Sequence, residues 1–194
     1  MWYALLWLLC LGCGLLSPRT PEPPAPDTDS KGYRQPISPD IVAENLRSAV
    51  SRRDAVALLG CLVDSVQLPG SSYQFEPSAQ ARARFPGVFA RWGRDEEYRS
   101  FSAMMQRVAA AQVPELLYIS PVFEYRTPDS AVFRSEYQLY VPHTDPTLPT
   151  IARGILRWTL VAQSNGLWAI LRWSDFDSDS VQPSWSMLKA YWSR

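Results

Sequence analysis

The residues most able to carry chemistry are few. The single histidine, His143, sits in VPHTDPTLPT with Asp145 two positions on. A histidine–carboxylate dyad would move protons near neutral pH, but Pro142, Pro146 and Pro149 place the pair in a loop, and a surface loop is the expectation. One histidine and one cysteine beyond the N-terminal stretch cannot supply the ligands of the usual zinc sites, so neither metal nor cofactor is expected. Carboxylates remain. Glu76, Asp95, Glu97, Glu124 and Asp175 fall near expected element ends, where the mouth of a cavity would lie and burial could tune a carboxyl for proton transfer. Glu96 and Glu97 also suit the positive end of a helix dipole, and Asp175 the end of a strand. Asp175, Asp177 and Asp179 alternate with Phe176, Ser178 and Ser180 but lack the glycine and distal glutamate of an EF-hand loop, so a solvated loop is expected. The chain has no glycine-rich phosphate loop, no Gly-x-Ser-x-Gly elbow and no paired-cysteine motif.

The cysteines are Cys10, Cys13 and Cys61. Only Cys61 lies beyond the N-terminal stretch, which excludes a disulfide within the domain. Among Leu58, Leu59 and Leu62 it reads as a small buried hydrophobe. Residues 1–16, MWYALLWLLCLGCGLL, carry no charged side chain. As a helix they would span about 24 Å, short of the ~30 Å hydrocarbon core, and an export signal is the better reading. Cys10-Leu11-Gly12-Cys13 resembles a bacterial lipobox, which implies cleavage before Cys13, its lipidation, and a protein anchored in the cell envelope. Ordinary secretion and an uncleaved anchor are the alternatives. Residues 17–37 hold Pro18, Pro21, Pro23, Pro24, Pro26 and Pro36, a composition that favours an extended polyproline leash. A proline-rich docking segment is the rarer alternative.

The remaining residues, 38–194, suffice for one domain that buries about 70% of its unfolded surface. Nineteen basic and 19 acidic side chains balance. A nucleic-acid partner would need a basic face, and balance also removes a general attraction to anionic lipid. Eight tryptophans make a substantial core plausible.

Ser38-Pro39-Asp40 predicts a helix start, followed by a stripe of Ile41, Val42, Leu46, Ala49 and Val50. A second helix is expected from Asp54 to Val63, with Val56, Leu59 and Leu62 inward. A strand is expected over Val66 to Phe75, then irregular chain over 77–93. A third helix begins near Asp95, with Tyr98, Phe101, Met105 and Val108 inward, and ends before Pro114. The period then changes to two, giving strands over 116–126, 131–141, 151–163 and 167–176. Asn165-Gly166 predicts a type I′ hairpin in which paired residue numbers sum to 331. Trp158 then faces Trp173, Leu160 faces Leu171, and Ala162 faces Ala169, with Arg157, Trp168 and Arg172 on the other side. Phe133, Tyr137 and Leu139 sort to one side of the preceding strand. A final helical turn is expected within 184–192. The fold class is α+β: three helices packed on a curved antiparallel sheet.

This order resembles the nuclear-transport-factor-like superfamily, also called cystatin-like or SnoaL-like. The residues that carry the likeness are PDIVAENLRSAVSRRDAVALLGCL, ARWGRDEEYRSFSAMM and WTLVAQSNGLWAILRWSD. The resemblance implies a cone with an apolar pocket, lined here by Trp158, Trp173, Phe133, Tyr137, Tyr98 and Phe101, and dimerisation through the outer sheet face. It spans isomerases, dehydratases and members that only bind, so fold does not decide function. The leading expectation is a non-catalytic envelope lipoprotein domain that binds a partner protein or an apolar small molecule. The alternatives are a small isomerase- or dehydratase-type enzyme using a carboxylate in the cone, and a structural dimerising module at the membrane surface.

Overall fold

In the computed structural model the residues described are 32–178 and 181–193. Residues 1–31, with Cys10, Cys13 and most of the proline-rich segment, and Asp179 lie outside them. Helices α1 (Pro39–Arg52) and α2 (Ala55–Gly60) precede strand β1 (Gln74–Glu76) and helices α3 (Ala79–Arg84) and α4 (Arg94–Gln106). Strands β2 (Glu115–Arg126), β3 (Ser130–Tyr140), β4 (Ile151–Ala162) and β5 (Trp168–Asp177) follow, then helix α5 (Trp185–Trp192). The strands form one sheet in the order β1-β5-β4-β3-β2. All neighbours are antiparallel except β1, which runs parallel to β5. The result is an α+β cone-like fold with a curved sheet.

Alternation sets the sheet's inner face. Phe133 pairs with Trp158, Trp158 with Trp173, and Trp173 with Phe75, so one row of rings crosses four strands. The 331 register holds from Gly154↔Asp177 to Thr159↔Arg172, then slips by one so that Leu160 pairs with Ile170 and Ala162 with Trp168. The cause is the turn. Gly166 alone is left-handed (φ 76°), whereas a type I′ turn needs both central residues there. A wider loop forms, closed by Gln163 N–H to Leu167 O at 2.9 Å, and a bulge absorbs the extra residue. Trp168, expected on the outer side, therefore turns into the core. Gly154 faces Tyr137 across the ladder, where a Cβ would lie 2.6 Å from the tyrosine hydroxyl. Only glycine lets that ring cross.

Several local expectations shift. In place of a strand over 66–75 the chain forms only the short strand Gln74–Glu76, because Pro69-Gly70 turns the chain, with Gly70 at φ 81°. The stretch 77–93, expected to be irregular, contains α3. Its N-terminus is satisfied by Ser78 Oγ, which accepts from Ala81 N–H at 3.3 Å, and by Asp177, which accepts from Gln80 N–H at 3.0 Å. Helix α2 is shorter than expected and presents Leu58 inward, leaving Val56 71% exposed. Asp54 caps it, accepting from Ala57 N–H at 2.9 Å. Cys61 is buried, as its leucine neighbours predict, and burial pushes its thiol pKa up. Residues read as the end of the leash lie against the domain: Arg34 exchanges two hydrogen bonds with Asn45, and Pro36 O accepts from Trp168 N–H.

Trp173 is fully buried, between Trp158 at 5.3 Å and Trp185 at 4.8 Å. Trp173→Ala is expected to cost about 3–5 kcal/mol, read by urea unfolding. A loss below ~1 kcal/mol would remove the ring from the core.

Candidate functional site

Five of the six residues expected to line a pocket converge beneath the sheet. Phe101, Phe133, Tyr137, Trp158 and Trp173 are buried; Phe133 stacks on Trp158 at 5.1 Å. Tyr98 does not join them: it is 41% exposed. Helix α4 buries Glu97, Ser100, Phe101, Met104 and Met105, and at 100° per residue that phase turns Tyr98 outward.

The converging rings are covered by α5. This two-turn helix lies between the sheet and α4, with Trp185, Met187, Leu188, Ala190 and Trp192 buried. It packs against α4, α3 and β4. Trp185 meets Trp173 and, at 6.0 Å, Tyr137. Two surface hollows of about 330 Å³ lie elsewhere: one beside α1 is lined by Arg34, Glu44 and Arg47, the other at the sheet edge by Phe75, Arg82, Phe85 and Phe89.

Two carboxylates reach the buried zone, each satisfied from within the chain. Glu97 Oε1 accepts from Lys189 Nζ at 2.5 Å. Its Oε2 accepts from Trp92 Nε1–H at 2.8 Å and from Tyr73 O–H at 3.2 Å. Both charged side chains are 2% exposed. Burial lowers the Lys189 pKa, opposed by attraction to Glu97. The ammonium also stands 3.9 Å from the Phe75 ring centre and 4.0 Å from that of Trp173.

Asp175 Oδ1 accepts from Tyr137 O–H at 2.8 Å, and Oδ2 from Ser186 N–H and O–H at 2.7 and 2.5 Å. The Tyr137 phenolic oxygen, Oη, accepts in turn from Trp185 N–H at 2.6 Å. Ser184, the residue before α5, makes no side-chain cap bond. Asp175 and Tyr137 therefore satisfy the first amides of the helix, and the Asp175 carboxylate places negative charge at its positive end. Burial raises the Asp175 pKa, opposed by the bonds from Ser186 and Tyr137. Burial also raises the phenol pKa values of Tyr137 and Tyr73.

The other candidates serve local structure. His143 packs edge-on to Trp192 at 5.5 Å, and one ring nitrogen, Nε2, meets Pro149 O at 3.2 Å. It is partly buried rather than free on the surface, because α5 ends against it. Asp145 instead accepts from Thr147 N–H and O–H at 2.9 and 2.6 Å, so the pair forms no dyad. Glu124 pairs with Arg157 at 2.8 Å, and Glu76 accepts from Ser174 O–H at 2.5 Å. Asp177 serves α3. Among the described residues no three His, Cys, Asp or Glu side chains are grouped to hold a metal.

Sequence reasoning missed Lys189 and placed Glu97 at a cavity mouth or as a dipole partner, not in a buried ion pair. A signal was present. Lys189 is the only charged residue in the apolar run WSMLKAYW, and Glu97 lies four residues before Phe101, on the buried stripe.

No family model and no curated protein sequence match the chain. Solved structures do. A proposed aromatic ring hydroxylase from Novosphingobium aromaticivorans superposes at TM-score 0.57 and 10% identity, over 79% of this chain and 96% of its own. A proposed dehydratase of the NTF2-like family from Streptomyces avermitilis gives 0.53 and 13%, over 80% and 100%. A ketosteroid isomerase-like protein from Erwinia carotovora atroseptica gives 0.50 and 17%, over 73% and 94%. The fold is thus nuclear-transport-factor-like. At these identities the likeness carries the architecture alone.

Asp175 has a folded-state pKa above its ordinary 3.8. Between those two values the folded chain holds more protons than the unfolded chain, so its contribution to stability falls as pH rises. Asp175→Asn removes that titration. Urea unfolding from pH 4 upward should show wild type losing stability relative to the variant by up to about 1.4 kcal/mol per pH unit. Parallel profiles would contradict the raised pKa.

Proposed function

We propose that this is a non-catalytic interaction domain, tethered in the cell envelope through a lipidated Cys13. One observation carries the non-catalytic reading: α5 occupies the space under the sheet where a substrate would have to sit. Glu97 and Asp175 spend their acceptor capacity on Lys189, Trp92, Tyr73, Tyr137 and Ser186. Each carboxyl already accepts three hydrogen bonds from its own chain, and both are buried beneath α5.

Contact with other molecules then falls to the outside. On the outer sheet side Leu117, Ile119, Val122, Tyr125 and Phe176 are exposed, among the charges of Glu124, Arg134, Arg157 and Arg172. A second copy of the chain is the partner the resemblance implies for this face, with a tethered dimer at the membrane as the assembly.

The enzyme reading has one observation in its favour: Asp175, a buried carboxyl with a raised pKa, has Tyr137 beside it. It requires α5 to leave, because both groups are capped by Trp185 and Ser186. Amide hydrogen exchange separates the two. The α5 amides should exchange only through global unfolding, with protection equal to that of β4 and β5. Exchange at least tenfold faster across residues 186–192 would show a lid that opens and would favour the enzyme. The tether has its own test: a labelled fatty acid fed to expressing bacteria should mark the wild type and not Cys13→Ala. Equal labelling, or none in either, would dismiss lipidation at Cys13.

A further inference from the structure

The surroundings of Lys189 Nζ are more specific than a salt bridge requires. Glu97 Oε1 lies at 2.5 Å, and the ring centres of Phe75, Trp173 and Trp185 lie at 3.9, 4.0 and 5.4 Å. Cations within about 6 Å of an aromatic face are attracted by the ring quadrupole, most strongly where water is excluded. Glu97 comes from α4, Phe75 from β1 and Trp173 from β5. Of the groups around Nζ only the most distant ring, Trp185, belongs to the helix that delivers the lysine. Tyr73 and Trp92 fix the glutamate from behind through Oε2, which leaves Oε1 aimed at the cation. Asp175 adds a second, more distant attraction for the same charge. The cradle is therefore built by the body of the domain.

We propose that this cradle is a binding site for a primary alkylammonium group, which the chain fills in cis with its own Lys189. The ligand class follows from the donor and acceptor count. A guanidinium prefers two carboxylate oxygens side by side, and Glu97 offers one. A quaternary ammonium has no N–H to place on Oε1. A neutral alcohol gains little from three ring faces. A primary ammonium on an unbranched stem meets all of these constraints, and α5 supplies it, with Trp185 of the same helix 5.4 Å from the ammonium. This goes beyond the non-catalytic reading. That reading concerns whether α5 opens in the wild type, and its exchange test does not depend on what the cradle recognises.

Chemical rescue of a full-length variant tests the proposal. Lys189→Ala deletes Cγ to Nζ, the atoms of n-propylammonium, and leaves Glu97 facing an empty volume. Thermal unfolding is followed in n-propylammonium chloride, 1-propanol, tetramethylammonium chloride or sodium chloride. The expected result is a Tm increase of about 3–6 °C for the variant at roughly 100 mM n-propylammonium. Wild type, whose site is filled, should not respond beyond its response to sodium chloride. Neither 1-propanol nor tetramethylammonium should reproduce the increase. If Lys189→Ala does not stay folded, the same comparison is read as the fraction of native near-UV circular dichroism regained on refolding in each solute. An equal gain with 1-propanol would mean simple cavity filling and overturn the proposal. Equal gain with tetramethylammonium, or no gain with any solute, would overturn it too.

Discussion

A charge removed from water must be met by opposite charge or by oriented dipoles, or the fold that buries it loses several kcal/mol. Glu97 and Lys189 impose that condition on this domain. One is on α4, the other on α5, 92 positions apart in sequence, and both are almost fully buried. Neither helix can take its place without the other. Such a pair adds little net stability, because desolvation offsets attraction. It does make alternative placements of α5 costly, since each would strand an ion.

The ends of α5 are fixed by the same logic in weaker form. An eight-residue helix is marginal alone, and its first amides need acceptors. Asp175 and Tyr137 provide them from strands β5 and β3, while Ser78 bonds Ser186 and Ser184 from the start of α3. At the far end Trp192 packs on His143 and lies under Arg107 at 5.3 Å. Polar contacts from Asp175, Tyr137 and Ser78 and a row of indoles thus turn the interior of a cone into a core.

The outer side of the sheet follows different constraints. Edge strand β2 keeps Ser120 at φ 50° beside Pro121 in a break of the ladder. A proline cannot donate to a neighbouring strand, and a bulge bends the edge away. The exposed Leu117, Ile119 and Val122 therefore lie on a strand poorly suited to edge-to-edge pairing.

How much of this was legible in the sequence depends on the range of the interaction involved. Strand alternation, the Asp54 cap, the apolar stripe of α1 and the inward rows of Phe133, Trp158 and Trp173 depend on neighbours within a few residues, so period and residue type sufficed. The superfamily pattern followed from that order. What the chain could not announce was the destination of α5. The meaning of Glu97, Asp175 and Lys189 depends on a contact between segments far apart in sequence, and a carboxylate at a helix start reads identically whether it faces water or a buried ammonium. Local sequence fixes which face is apolar; only the packed structure decides whether the space beneath that face is left open or closed by the chain's own tail.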